Sequence, residues 1–214
     1  MNPKFLKLDA NLGGRDFVVG DIHGHIGELR FLLQHVSFDY SVDRMFSVGD
    51  LIDHGPDSPS CLRLINEPWF HATRGNHEDM MIRAVERKHP GDDQLWIQSG
   101  GYWLDLDSEL AMEMSELAVG LPVAIQVAHA SAGSIGVTHA DVLSKSWKDN
   151  VAMLDSEHAT EEWIADTVWS RELGESVARD VAARDDRHVG ECTIEGIDRL
   201  YIGHTPWACP EFRV

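Results

Sequence analysis

Aspartate, asparagine and histidine recur in this sequence just after short apolar runs, flanked by glycine. Asp21 and His23 lie in Gly-Asp-Ile-His-Gly, Asp50 and Asp53 in Gly-Asp-Leu-Ile-Asp-His-Gly, Asn76 and His77 in Arg-Gly-Asn-His-Glu, and His204 in Gly-His-Thr-Pro. His139, after residues 134–138, is a fifth candidate. Taken singly, an Asp or His in a loop is a turn former, a cap or a surface group. Turn chemistry alone does not explain why four strand ends carry the same kind of junction. Carboxylate, amide and imidazole donors with no thiolate among them suit Mn²⁺, Fe or Zn²⁺ better than Cu(I) or an iron–sulfur cluster. If their segment is extended, Asp21 and His23, two apart, point the same way and bite one cation together. The flanking glycines permit tight turns and close backbone approach to a ligand.

Such residues meet only if the elements before them end in one place. Residues 17–19 read as a buried strand stopped by Gly20-Asp21, residues 45–48 as the next strand, stopped by Gly49-Asp50, and residues 69–73 as a third, ending at Arg74-Gly75-Asn76. Between and after them, residues 25–36, 60–65 and 78–86 read as helices, the first with Ile26, Leu29, Leu33 and Val36 in one stripe. Strand–helix–strand alternation predicts parallel pairing and a crevice at the carboxyl ends of the strands. Residues 108–119 read as a further helix, with Leu110, Met114 and Leu117 on one face. Residues 123–128 and 134–138 follow as strands around a turn containing Gly133, and residues 200–202 as a last strand before Gly203-His204. Residues 141–196 are polar and weakly periodic, read as helices and loops with one helix over 161–169.

The chain has 214 residues, with 36 acidic against 18 basic giving a net charge of −18, and 43% apolar residues. This is ample for one domain over 1–214. The acid excess repels nucleic-acid backbones and anionic membranes, and no Lys/Arg run offsets it, so neither is an expected partner. Cys61, Cys192 and Cys209 are odd in number and widely spaced, which argues against a disulfide framework and fits a reducing cytoplasm. Residues 1–14 lack the apolar core of a signal peptide, and no stretch approaches the ~20 apolar residues of a membrane span. The expectation is a soluble cytoplasmic protein whose oligomeric state is open.

The ordered motifs at 20–24, 49–55, 74–78, 139–141 and 203–206 resemble the metallophosphoesterase signature of the phosphoprotein phosphatases, in particular the bacterial and bacteriophage lambda type of serine/threonine phosphatase. The resemblance runs from about Val18 to Pro206. It implies an α/β calcineurin-like metallophosphoesterase fold, a two-sheet β-sandwich flanked by helices. It also implies two divalent ions, Mn²⁺ first with Fe or Zn²⁺ as alternatives. By resemblance, Asp21, His23 and Asp50 bind one metal and Asp50, Asn76, His139 and His204 the other, with Asp50 as the bridge. A metal-bridging hydroxide would attack phosphorus directly, and His77, paired with Asp53, would protonate the leaving alkoxide. Arg171, in Trp-Ser-Arg-Glu, resembles the family's phosphate clamp, and Arg74 ranks below it.

The sequence departs from the family in two places. The second motif ordinarily reads Asp-Arg-Gly, and His54 stands at the arginine position as a shorter, partly protonated phosphate contact. Relatives continue past Gly-His-Thr-Pro with further strands, so the C-terminal strands read as shortened. The implied activity is hydrolysis of phosphoserine and phosphothreonine, and also phosphotyrosine, in phosphoproteins or phosphopeptides. A diadenosine tetraphosphate hydrolase and a non-catalytic binding protein of the same fold are the alternatives.

Overall fold

The computed structural model describes residues 4–155, 159–183 and 193–206. Alternation along β2 (Asp16–Val19), β3 (Arg44–Ser47) and β4 (Phe70–Ala72) builds a three-stranded sheet in the order β2-β3-β4, with both pairs parallel as the crossovers predict. A second sheet has the order β1-β5-β6-β7, from β1 (Phe5–Leu8), β5 (Ala124–His129), β6 (Gly133–Thr138) and β7 (Arg199–Tyr201). Its β5–β6 pair is an antiparallel hairpin, whereas β1–β5 and β6–β7 are parallel.

The two sheets face each other across Phe46, Val48, Ile125, Val127, Ile135 and Val137. Because side chains alternate along a strand, the opposite faces carry other residues and take helices. Met45, Phe70 and Ala72 pack with α1 (Ile26–His35), α3 (Asn76–Glu86) and α5 (Glu109–Val119), together with Trp96 of α4 (Asp92–Gln98). Val123 and Ala124 pack with α6 (Trp147–Leu154) and α7 (Glu161–Trp169). The short helix α2 (Ser58–Leu62), capped by Asp57, runs into a 3₁₀ turn at Arg63–Asn66, and α8 (Glu172–Ala183) follows α7.

Several expectations change. β2 is an edge strand with Val18 36% exposed, so its apolar run is only half-buried. Gly133 opens β6 instead of lying in the turn before it. β1 has no counterpart in the sequence reading; its four residues carry too little pattern to stand out until β5 pairs with them. Helices α6 and α8 give form to the weakly periodic stretch. The shortened C-terminal strands, Cys192 and Cys209 lie outside the described residues. Cys61 is free and buried, and burial pushes its thiol up to about 12. Among the described residues no helix is long and apolar enough to cross a membrane.

The turn into β3 is held by Asp43. It accepts Arg15 N at 2.7 Å, Arg15 Nη2 at 2.6 Å and Asp39 N at 3.0 Å, and the Arg15 guanidinium holds its carboxyl at about 2. A carboxylate pKa depressed on folding stabilises the native state above its unfolded value near ~3.9, and that contribution is lost as pH falls through about 2. Asp43→Asn is therefore expected to lower stability by ~1–3 kcal/mol at pH 6. In paired melting curves the gap from the parent should close between pH 4 and about 2; a gap independent of pH would mean that the charge contributes nothing.

Candidate metal centre

All five junctions singled out in the sequence open toward one another. Asp21 follows β2, Asp50 and Asp53 follow β3, Asn76 is the first residue of α3 after β4, His139 follows β6, and His204 follows β7. The backbone turns hard to do this. His23, Asp50, Asp53, His54 and His204 all have positive φ, at 46°, 49°, 72°, 63° and 64°, a conformation that costs a non-glycine residue stability and tends to persist at functional sites. This corrects the extended reading of Asp21 to His23: His23 lies in a turn whose N–H, with that of Ile22, donates to Asp50 O at 2.8 and 2.9 Å. Two glycines are required by close approach. A Cβ on Gly75 would lie 2.1 Å from Asp50 Oδ1, and one on Gly203 would lie 2.1 Å from Asp21 Oδ1.

Three sets of donors can each close on a single ion; the two that contain a carboxylate are Asp21, His23 and Asp50, and Asp50, His139 and His204, and the other is His23, His54 and His77. Asp50 belongs to both carboxylate-containing sets, and its Oδ2 lies 3.4 Å from His139 Nε2 and 3.8 Å from His23 Nε2. Each imidazole spends one nitrogen on a backbone carbonyl: His23 Nδ1 on Ile52 O at 2.9 Å, His139 Nδ1 on Val48 O at 2.8 Å, and His204 Nε2 on Trp169 O at 3.1 Å. Such bonds fix ring and tautomer, leaving the other nitrogen for a metal. Asn76 Oδ1 completes the second set, 2.9 Å from His139 Nε2 and 2.8 Å from His204 Nδ1.

The protonation pattern tests whether this donor set fits a cation. Burial, with His139 beside it, pushes His204 down to about 4, so its ring is neutral at pH 7. With its proton on the Trp169 side, its Nδ1 lone pair faces the Asn76 oxygen lone pairs, an unfavourable contact that a cation converts into two ligand bonds. Burial opposes charge on His139, but Asp50 outweighs it and pushes the ring up to about 9. A proton thus occupies the position where a metal would neutralise Asp50. Burial likewise opposes charge on Asp50, and His139, His77 and His23 hold its carboxyl well below the usual range. The residues fit a divalent ion.

His77 and Asp53 come together as a buried pair, Nδ1 to Oδ2 at 2.7 Å. Burial opposes the charge on His77, and the Asp53 bond followed by Asp50 raises its pKa above the ordinary value. Asp53 Oδ2 also accepts Trp96 Nε1 at 2.9 Å, and Oδ1 accepts Trp103 Nε1 at 2.6 Å. Two indoles from the α4 region therefore lock the carboxylate that orients His77, a support that no local spacing in the sequence announces. His54 is exposed and stacks edge-on against His23 and His77, with centroids 4.8 and 5.1 Å apart; burial and those two rings lower its pKa.

The two arginines separate. Arg171 is exposed on the turn between α7 and α8, and its charge is felt at His204. That turn is tied down by Asp141, whose Oδ2 accepts Ser170 Oγ at 2.5 Å and Leu173 N at 3.2 Å. Arg74 is buried and donates Nη2 to Val119 O at 3.0 Å, so its contacts are of another kind than those expected of a phosphate clamp.

Glu78 is the support that the sequence reading passes over. It is fully buried and accepts Gly75 N at 2.8 Å, Asp50 N at 3.1 Å and Leu51 N at 2.8 Å, clamping the loop after β3 to the start of α3. Its signal is the acidic residue three past a helix N-cap. Burial and the Asp50 charge raise its pKa. Glu78→Gln keeps shape but turns an N–H₂ toward backbone donors, and is expected to cost ~2–4 kcal/mol and to lower metal content with it; melting and metal analysis of one preparation check both.

The calcineurin-like phosphoesterase family matches residues 17–207. The chain is 38% identical over 142 residues to serine/threonine-protein phosphatase 2 of Escherichia coli, a match covering 64% of this chain and 63% of that protein. It is 32% identical over 208 residues to serine/threonine-protein phosphatase 1 of Salmonella typhimurium, covering 94% of this chain and 83% of that protein. A symmetrical bis(5'-nucleosyl)-tetraphosphatase of Actinobacillus pleuropneumoniae matches at 38% over 81 residues, 36% of this chain and 30% of that protein.

Proposed function

The chain belongs to the calcineurin-like phosphoesterase family, and from that premise we propose that it is a metal-dependent phosphomonoesterase of phosphoserine and phosphothreonine in proteins, taking phosphotyrosine as well. The observation that carries this reading is the buried His77–Asp53 pair, with His77 Nε2 4.0 Å from Asp50 Oδ2. A proton donor at the edge of the donor cluster suits expulsion of a strongly basic alkoxide.

Asp21, His23 and Asp50 would hold one divalent ion and Asp50, Asn76, His139 and His204 a second, with Mn²⁺ as the first choice and Fe or Zn²⁺ as alternatives. When bound, the ions polarise phosphoryl oxygens and make water nucleophilic near neutral pH. The chain's own residues do the rest. Asp53 fixes His77 Nδ1 so that Nε2 carries the proton toward the leaving oxygen. Arg171 offers a guanidinium fork to phosphate oxygens from the rim, and His54 lines the mouth between His23 and His77. The cytoplasm is the proposed compartment. Because His54 is short and its pKa is lowered, His54→Arg is expected to reduce KM for a phosphoester by ~3–10-fold with kcat nearly unchanged, as one added charged contact would. An unchanged or higher KM in steady-state kinetics would show that His54 does not stand in for that contact.

A second reading, hydrolysis of diadenosine tetraphosphate, is favoured by the partial match to the symmetrical tetraphosphatase. The deciding experiment gives Mn²⁺-supplemented protein p-nitrophenyl phosphate, a phosphoserine peptide and diadenosine tetraphosphate, with metal analysis alongside. Turnover of the peptide supports the phosphatase; turnover of the dinucleotide alone overturns it. No turnover and no bound metal would leave a binding protein of this fold.

A further inference from the structure

A cavity of about 80 Å³ is lined by Lys4, Arg74, Asp79, Arg83, Lys88, Glu161 and two isoleucines, none of them a donor of the metal centre. Its two carboxylates are already engaged. Asp79 Oδ2 takes Arg83 Nε at 2.9 Å and Trp169 Nε1 at 3.1 Å, and Glu161 takes Lys88 Nζ at 3.0 Å. Two cations are left over. Arg74 is only 5% exposed, and its Nε is buried with no hydrogen-bond partner. Lys4 Nζ has no hydrogen bond or ion pair among the described residues, and burial together with the charges of Arg74 and Lys88 lowers its pKa. Asp79 lies near Arg74, and Asp79 and Glu161 lie near Lys4, but both carboxylates are bonded to other partners, which leaves a buried guanidinium and a second cation lining one cavity with no ion pair of their own. That is costly, all the more unexpected in a chain of net charge −18.

We propose that this cavity binds one small inorganic anion, a halide or a compact oxyanion, between the Arg74 guanidinium and the Lys4 ammonium. The volume equals that of roughly two or three waters, which excludes a nucleotide or a phosphopeptide. The anion would join residues from the start of β1, the β4–α3 turn, α3 and α7, and would fix Arg74 two residues before Asn76. It is a structural staple and does not depend on the proposed reaction.

The test compares melting of the Mn²⁺-loaded protein in sodium gluconate, sodium bromide and sodium sulfate at one ionic strength, for the parent and for Lys4→Met. Bromide or sulfate is expected to raise Tm over gluconate by ~2–4 °C in the parent. The rise should disappear in Lys4→Met, whereas a general salt effect would persist. The bromide and sulfate arms tell a halide from an oxyanion. A crystal grown in bromide gives a second readout that needs no variant, an anomalous peak within hydrogen-bond distance of Arg74 Nε. Equal shifts in parent and variant, or water alone in the cavity, would overturn the proposal.

Discussion

His77→Asn is expected to lower kcat/KM for a phosphoserine peptide by ~10²–10⁴-fold, the range of a lost general acid, while the loss on p-nitrophenyl phosphate stays under ~10-fold, because nitrophenolate leaves without a proton. Asparagine can keep a hydrogen bond to Asp53, which Trp96 and Trp103 hold in place, so the substitution removes the proton and little of the geometry. The raised pKa of His77, which the Asp53 bond sustains against burial, keeps the imidazolium populated near neutral pH. Metal analysis belongs in the same experiment, because His23, His54 and His77 also lie close enough to share an ion. Equal losses on both substrates would remove His77 from the acid role, and a loss of metal with them would make it a ligand.

What was legible in the sequence was the set of junctions. Apolar runs ending in Gly-Asp, Gly-Asn or Gly-His mark strand termini, and parallel pairing sends those termini to one end. Long-range supports were not legible. Trp96 and Trp103 lie 43 and 50 residues from Asp53, and nothing local distinguishes an indole that bonds a buried carboxylate from one that fills a core. Asp141 was visible within a motif, but its work of holding Ser170 and Leu173 appears only once α7 has folded against β6. Arg74, ranked below Arg171 in the sequence, is a different case. A motif arginine read as a phosphate contact is buried against Val119 O, because the β4–α3 turn aims Asn76 and His77 at the cluster and Arg74 at another cavity. The candidate donors came from the family resemblance that the ordered motifs carry, Asn76 above all; their orientation toward one another needed the positive-φ turns at His23, Asp50 and His204.

Asp50→Asn is expected to abolish binding of both ions and to lower activity by more than the ~10–100-fold typical of losing a group that merely orients a ligand. Asp50 is the residue common to the two donor sets that contain a carboxylate. It is 2% exposed, with Oδ1 accepting His77 N at 3.1 Å and Oδ2 facing His139. Asparagine is nearly isosteric, so the backbone contacts around Gly75 survive; what is lost is the negative charge. One carbonyl oxygen cannot neutralise two cations, and the amide N–H₂ would face either a backbone donor or an imidazole. In the metal-free protein the same change removes the counter-ion of His139, which Asp50 pushes up to about 9, at a cost of ~3–5 kcal/mol for a broken buried pair. Asp21→Asn separates a bridge from an ordinary ligand, since Asp21 belongs to one donor set alone. Metal analysis should find close to one ion per chain in Asp21→Asn and close to none in Asp50→Asn. Equal stoichiometry in the two variants would mean that Asp50 serves one ion and that the centre is not bridged by its carboxylate.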